Sequence, residues 1–133
     1  MGKSIYDFGF ELKKEVSFGK ALRSTFKKHN LKVEHVANAA FIDKSIIYKY
    51  FRDETKPQKS TLIKLMLAAD MPYDESMDLM KLLGYTLSSS NTDVFYEVLL
   101  EHSKAITVLD ANEMIDLLNK EEGRIVVNPF DLG

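Results

Sequence analysis

Hydrophobic residues recur at three- and four-residue steps along most of the chain, which is the period of an amphipathic helix. Before residue 85 this pattern predicts five helices. Their inward positions are Phe18, Ala21, Leu22 and Phe26 in the first, Val33, Val36, Ala37 and Ala40 in the second, Ile46, Ile47, Tyr50 and Phe51 in the third, Leu62, Leu65, Met66 and Ala69 in the fourth, and Met77, Met80 and Leu83 in the fifth. The sequence therefore predicts an all-α protein.

Polar and helix-breaking residues separate these helices. Asp43 is a good N-cap for the third helix and Ser60 for the fourth, since their short side chains can accept hydrogen bonds from free backbone N–H groups. Pro57 places a loop between those helices, and Pro72 ends the fourth because proline lacks a backbone donor. Gly84 stands where a left-handed residue should end the fifth helix.

The chain after Gly84 predicts two more helices. A polar connector over 86–93 leads into a sixth helix over about 92–103, whose apolar positions are Val94, Phe95, Val98 and Leu99. Asp110, with Glu113 three residues later, resembles a capping box and predicts the beginning of a seventh helix. Gly123 is expected to end that helix.

The two terminal segments have weaker patterns. Residues 4–15 fit a strand or a frayed helix equally well. In the tail, residues 125–127 have the β-branched composition of a strand. Phe130, which follows a proline, is expected to be exposed.

Composition excludes several classes of protein. The chain has no cysteine, so disulfides and thiol catalysis are excluded. No segment approaches the roughly 18 consecutive apolar residues of a membrane span, and the first residues lack the apolar run of a signal peptide. We therefore expect a cytoplasmic protein with no membrane partner.

Few residues suggest an enzyme. The three histidines lie too far apart in sequence to share one helical face as metal ligands: His29, His35 and His102. Three acids recur at four-residue steps on the sixth helix, a row more typical of a solvated face than of a metal site or a catalytic carboxylate pair: Asp93, Glu97 and Glu101. A glycine-rich phosphate loop is also missing from the sequence. We expect no catalytic activity, no metal and no cofactor.

The net charge of −2 conceals an uneven distribution. Residues 18–64 contain eleven Lys or Arg and four acids, a net +7, whereas residues 65–133 contain four basic residues and thirteen acids, a net −9. A basic segment joined to an acidic one favours a polyanion-binding surface on the first. A lysine-rich solvated helix surface is the alternative, and charge alone leaves the two about equal.

The second and third predicted helices have the spacing of a helix-turn-helix unit. Ala37 is small enough for two backbones to approach closely, and apolar residues follow at the positions that such a unit buries: Val36, Ala37, Ala40, Ile42, Ile47 and Tyr50. The opposite face of the third helix carries donors for phosphates and for base edges: Lys44, Ser45, Tyr48, Lys49 and Arg52.

The stretch "FGKALRSTFKKHNLKVEHVANAAFIDKSIIYKYFRDETKPQKSTLIKLMLAADM" resembles the DNA-binding domain of the Cro/XRE-type, phage-repressor-like regulators. The resemblance lies in the arginine-bearing first helix, the Val-Ala pair of the second, the Lys-Pro loop after the third and the apolar fourth. With residues 73–83 added, it implies a five-helix domain. "LLGYTLSSS" is similar to the linker that follows this domain in small bacterial members, and the likeness covers about two-thirds of the chain.

Three positions depart from the family pattern. Phe41 stands where the turn often has glycine, which implies a different or strained turn. Val33 and Glu34 stand where a polar residue, commonly Gln, contacts the DNA backbone, and a carboxylate there would repel phosphates. Phe51 replaces a usual Glu. Such changes are expected if the fold was kept while DNA contacts changed or disappeared.

These observations predict three parts: an N-terminal arm (1–17), a helix-turn-helix domain (18–84) and an acidic helical extension of two helices with a tail (85–133). The resulting hypothesis is a sequence-specific transcription regulator of bacterial or phage origin that binds double-stranded DNA. The residues expected to contact base edges are Lys44, Ser45, Tyr48 and Lys49. Those expected to contact phosphates are Lys20, Arg23, Lys27, Arg52, Lys56 and Lys59.

A homodimer is expected, because one unit reads few base pairs and regulators of this kind use two half-sites. The extension and the tail offer apolar residues for the interface, unless they only cap the core of the first domain. The alternative function is a helix-turn-helix-like protein-binding module, an adaptor or antagonist, whose partner docks on the C-terminal half.

Overall fold

A computed structural model describes residues 2–12 and 16–133. Within those ranges the chain forms one 3₁₀ turn, Ile5–Phe8, and seven α-helices: α1 (Phe18–Lys28), α2 (Val33–Ala40), α3 (Lys44–Phe51), α4 (Lys59–Ala68), α5 (Tyr73–Leu82), α6 (Asn91–Glu101) and α7 (Val108–Glu122). No strand occurs in the described ranges, so the all-α prediction is confirmed and the predicted strand at 125–127 is wrong. Part of the ambiguous N-terminal segment, residues 13–15, lies outside the described residues.

Capping interactions explain where the helices begin and end. Asp43 caps α3 by accepting a 2.9 Å hydrogen bond from the Ser45 N–H. Gly84 and Gly123 take left-handed conformations after α5 and α7, as the sequence predicted. Two predicted caps are wrong. Ser60 lies inside α4, which begins at Lys59, and Asp110 is the third residue of α7, where it completes a capping box with the true N-cap, Thr107.

The apolar helix α4 is the centre of the molecule. Six consecutive residues over 62–67 are buried, because α4 contacts α2, α5, α6 and α7 on different sides. The helices of the acidic extension bury their apolar residues in the same core, to which they contribute Tyr96, Leu99, Leu100, Val108, Ala111 and Ile115. The extension therefore does cap the core of the preceding helices.

The tail packs over this core without forming a strand. Phe130 is only 4% exposed and its ring stacks on Tyr96 of α6, with centroids 5.6 Å apart and planes 11° apart. The prediction of an exposed Phe130 is therefore wrong. Its sequence neighbours are polar, so the local pattern does not show the contact with Tyr96, a residue far away in sequence, that buries the ring.

Candidate nucleic-acid interface

A tight turn fixes the angle between α2 and α3. Phe41 has a left-handed backbone (φ 56°, ψ 43°), and the Ile42 N–H donates a 3.0 Å hydrogen bond back to the Ala37 carbonyl. This closes α2 as glycine-ended helices close, but with a phenylalanine, whose Cβ makes the conformation strained. The strained turn expected from the sequence is therefore present.

Side chains beneath the turn hold the two helices together. The predicted positions are buried as expected, fully at Val36, Ala37, Ala40, Ile47 and Tyr50 and partly at Ile42. A close approach of backbones occurs between α1 and α3. A Cβ on Gly19 would lie 2.5 Å from the carbonyl oxygens of both Tyr50 and Phe51. The sequence analysis missed this role of Gly19, although a glycine in the first turn of a helix is a signal that could have indicated it.

The outer face of α3 carries the four residues predicted to contact bases. Lys44, Ser45, Tyr48 and Lys49 are all exposed. Tyr48 is 44% exposed, and its ring packs edge-on against Phe51 at 6.0 Å. Phe51 in turn packs edge-on against the buried Phe26 of α1 at 5.1 Å. A row of three rings therefore holds Tyr48 while part of its surface stays open to a ligand.

Glu34 shares this face with Lys44. The Lys44 ammonium donates a 3.1 Å hydrogen bond to the Glu34 carboxylate, and this hydrogen bond raises the pKa of Lys44. Both side chains are more than half exposed, so solvent screens the pair. Glu34 thus places a carboxylate beside one of the predicted base-contacting cations, a relation between residues ten apart that no local pattern reveals.

A second group of cations comes from α1 and the loop before α4. Lys20, Arg23 and Lys27 are exposed and lie on one side of α1, since their spacing is close to one and two helical turns. Hydrogen bonds from the Ser17 hydroxyl and the Gly19 N–H lower the pKa of Asp53 most, and the nearby charges of Lys56 and Lys20 lower it further. The beginning of α1 and the loop after α3 therefore bring basic residues to one place.

The other two predicted phosphate contacts are engaged elsewhere. Arg52 makes two hydrogen bonds to Glu54, of 2.7 and 3.2 Å, and these hydrogen bonds raise the pKa of Arg52. Lys59 donates a 2.6 Å hydrogen bond to Asp93, which is 7% exposed at the beginning of α6. Burial raises the pKa of Asp93, but the hydrogen bonds from Lys59 and Ser88 outweigh it and leave the pKa below its ordinary value. Lys59 thus joins α4 to α6.

The acidic row on α6 is not the solvated face that the sequence indicated. Asp93 is buried under Lys59, and Glu97 accepts a 3.1 Å hydrogen bond from the Tyr73 hydroxyl of α5. Only Glu101 is exposed. These carboxylates therefore connect helices, a role that sequence spacing on one helix cannot show because both partners lie on other helices.

An ion cluster that sequence analysis missed joins α1 to α5. The Glu75 carboxylate lies 2.5 Å from the Lys28 ammonium and 2.5 Å from Nε2 of His29. The hydrogen bond with Lys28 is the largest cause of the lowered pKa of Glu75. His29 therefore links the end of α1 to α5.

Two features are absent from the described part of the chain. No group of three or more His, Asp or Glu residues there is placed to hold a metal ion. Among the helices over 2–12 and 16–133, none is long and apolar enough to cross a membrane.

Comparison with known proteins found similarity to helix-turn-helix regulators. A protein of Methanococcus maripaludis named "Putative HTH-type transcriptional regulatory protein" is 30% identical over 84 residues, which cover 62% of this chain and 26% of that protein. A protein of Methanococcus vannielii with the same description matches equally, at 30% identity over 84 residues. The chain thus spans about a quarter of the length of these curated relatives. No family model and no solved structure matches.

Proposed function

We propose that this protein is a sequence-specific DNA-binding transcription regulator of the Cro/XRE type, acting in the cytoplasm as a homodimer. One observation carries the proposal: α2 and a strained turn hold α3 at a fixed angle, with Lys44, Ser45, Tyr48 and Lys49 on its open face. An exposed helix of this kind fits the DNA major groove. Similarity to proteins named as helix-turn-helix regulators supports the same class.

The four residues on α3 supply complementary chemistry for base recognition. Lys44 and Lys49 can donate to guanine O6 and N7, and Ser45 to several base edges. The Tyr48 ring, backed by Phe51, can pack on a thymine methyl group through its open side and donate through its hydroxyl. Such contacts distinguish bases, so they would set the operator sequence.

The structure refines the proposed phosphate contacts. We propose Lys20, Arg23, Lys27 and Lys56 as contacts to the DNA backbone because all four are exposed, and because Lys20 and Lys56 both lie near Asp53, which follows α3. Arg52 would have to leave Glu54 to reach a phosphate, and Lys59 would have to leave the buried Asp93. The first exchange costs little at the surface, whereas the second breaks a pair between two helices. Lys59 is therefore omitted from the proposed interface.

A selection from random DNA duplexes, followed by mobility-shift titrations on the selected and on scrambled sites, tests the proposal. Lys49→Ala should cost about 1–3 kcal/mol on the selected site and relax specificity there. Lys56→Ala should lower the affinity for both duplexes equally and reduce the salt slope of binding by about one. Lys104→Ala, an exposed lysine between α6 and α7, is the matched control and should change neither. If the Lys49 and Lys56 variants lose affinity equally for both duplexes, the assigned roles are wrong.

A protein-binding module is the second candidate. It is favoured by the pairing of two cations in the α3 region with acids, Lys44 with Glu34 and Arg52 with Glu54. Such pairing lowers the positive potential that a DNA-binding surface needs. Failure to bind heparin at low salt, together with no shift of any duplex, would support this candidate over the first. Bacterial or phage origin stays a prediction.

A further inference from the structure

The loop between α3 and α4 carries Lys56, one of the proposed phosphate contacts. Residues 52–56 are exposed, whereas Pro57, which follows them, is fully buried. Exposed loops are usually mobile, and a mobile lysine has to be ordered when it binds a phosphate, which lowers its affinity. The strength of a phosphate contact by Lys56 therefore depends on what holds the two ends of this loop.

The first end of the loop is attached to the helices of the candidate interface. Asp53 accepts hydrogen bonds from the Ser17 hydroxyl and the Gly19 N–H at the beginning of α1. The Glu54 N–H donates a 3.0 Å hydrogen bond to the Lys49 carbonyl in the last turn of α3. This end of the loop is therefore held by α1 and α3.

The second end is held by the segment that follows α5. The Tyr85 hydroxyl donates a 2.8 Å hydrogen bond to the Pro57 carbonyl. The proline ring fixes φ of Pro57, and the hydrogen bond fixes the direction of its carbonyl, so both backbone angles of this residue are set. A residue that precedes proline is itself confined to extended backbone conformations. Tyr85 therefore sets the direction in which the chain leaves Lys56.

Tyr85 has a fixed position of its own. Gly84 (φ 73°) ends α5 in the left-handed conformation, and the Tyr85 N–H donates a 2.9 Å hydrogen bond to the Met80 carbonyl five residues earlier. This is a closing bond of a glycine-ended helix. The Tyr85 ring is partly buried against the core. The hydroxyl of Tyr85 is therefore in place without any contact to DNA.

A charged pair adds a second attachment directly after the loop. Lys59, the first residue of α4, donates its 2.6 Å hydrogen bond to the Asp93 carboxylate. The same carboxylate accepts hydrogen bonds of 2.8 Å from the N–H and from the hydroxyl of Ser88. The segment over 85–93 thus contacts the end of the loop at Pro57 and the beginning of α4 at Lys59.

We propose that Tyr85 is a positioning residue for DNA binding, whose hydroxyl holds Pro57 so that Lys56 is already ordered when it meets a phosphate. Tyr85 carries no charge and its hydroxyl is engaged with Pro57, so it acts through Lys56 and not by contact with DNA. The segment after α5 thereby contributes to DNA binding. This inference rests on the phosphate contact of Lys56 in the proposed function.

Tyr85→Phe tests the proposal, because it removes the hydroxyl and keeps the ring. Mobility-shift titrations on the selected and the scrambled duplex should show an equal loss of affinity, of about two- to tenfold, the change that one hydrogen bond usually makes. Tyr73→Phe is the matched control. It removes another partly buried hydroxyl, which donates a 3.1 Å hydrogen bond to Glu97 between α5 and α6, and it should leave the affinity unchanged.

Two further measurements separate positioning from a general loss of stability. In the Lys56→Ala background, Tyr85→Phe should cost no further affinity, because the lysine through which it acts is gone. Backbone ¹⁵N relaxation of the free protein should give order parameters of about 0.85 at Thr55 and Lys56 in the wild type, and lower values in Tyr85→Phe. Tyr73→Phe should keep the wild-type values at both positions.

The possible failures of this experiment differ from one another. Unchanged order parameters in Tyr85→Phe, or unchanged duplex affinity, would overturn the role of Tyr85 and leave the regulator function standing. An equal loss of affinity from Tyr85→Phe with and without Lys56 would do the same, and so would an equal loss in Tyr73→Phe. A wild type that binds no duplex would refute the regulator function, and the inference with it.

Discussion

The backbone N–H of Gly19 donates a 2.9 Å hydrogen bond to the carboxylate of Asp53, thirty-four residues later. Gly19 lies at the beginning of α1 and Asp53 directly after α3. Asp53 has a left-handed backbone (φ 55°), which turns its side chain back toward α1. This contact joins the end of the candidate recognition helix to the beginning of α1.

Gly19→Ala should therefore lower stability by about 1–3 kcal/mol, the usual cost of overpacking. The added Cβ would lie 2.5 Å from two carbonyl oxygens and 2.8 Å from the Asp53 carboxylate, so α1 must move. Urea unfolding followed by circular dichroism measures the change. Gly2→Ala is the control, because nothing lies within 4 Å of a Cβ there. Equal stability of the two variants would show that α1 can shift without cost.

Acid should destabilise the protein through its lowered carboxylate pKa values. Asp93, with an ordinary pKa of 3.8, and Glu75, with 4.5, both have lower values in the folded chain. Their contribution is therefore complete above the ordinary pKa and is lost as pH falls through the folded pKa. The melting temperature should fall between about pH 5 and about pH 3, where the unfolded chain takes up protons first.

Asp93→Asn isolates one of these carboxylates. The variant should lose about 1.5–3 kcal/mol at pH 7, because the charged hydrogen bonds from Lys59 and Ser88 weaken. It should also lose less stability than the wild type on acidification. Asp116→Asn, which removes an exposed pair with Lys120 on α7, serves as the control with little change at either pH. An unchanged acid transition in the Asp93 variant would contradict the assignment.

The predictability of the fold and the site follows from how far apart the interacting residues lie. Helical periodicity located the helices, and local caps such as Asp43 and Gly84 located several of their ends, because these depend on neighbours within a few residues. The same periodicity identified the open face of α3. Contacts across long separations, such as Lys59 with Asp93, have no local pattern. The prediction that Phe130 is exposed was wrong for this reason, since its burial depends on stacking with Tyr96.

Phe41→Gly should be more stable than Phe41→Ala by about 0.5–1 kcal/mol. Both variants lose the partial burial of the Phe41 ring, which is 39% exposed, but only glycine adopts the left-handed conformation without the Cβ strain. Comparing the two variants therefore separates the backbone effect from the loss of the ring. Thermal melts of both variants measure the difference. Equal stability of the two variants would show that the Cβ causes no strain at this position.

Ser76→Ala should raise stability by about 1 kcal/mol, because the Ser76 hydroxyl in α5 is fully buried and has no hydrogen-bond partner among the described residues. Alanine also has a higher helix propensity than serine. Ser24→Ala, at an exposed position inside α1, measures that propensity gain alone. In denaturant titrations, Ser76→Ala should raise the free energy of unfolding more than Ser24→Ala does. A loss at 76 would mean that the hydroxyl fills space that alanine leaves empty.

Glu34→Gln should strengthen binding to any duplex several-fold and steepen the salt slope by about one, because one more cation then faces the phosphates. The substitution removes a carboxylate from the candidate interface and frees Lys44 from its 3.1 Å pair, while glutamine keeps the size of the side chain. Glu113→Gln, an exposed acid on α7, makes the same change in net charge away from α3. Titrations at several salt concentrations separate a local effect at Glu34 from a general effect of charge. Equal gains in the two variants would mean that α3 has no special relation to DNA, and a protein-binding role for this face would then be the better explanation.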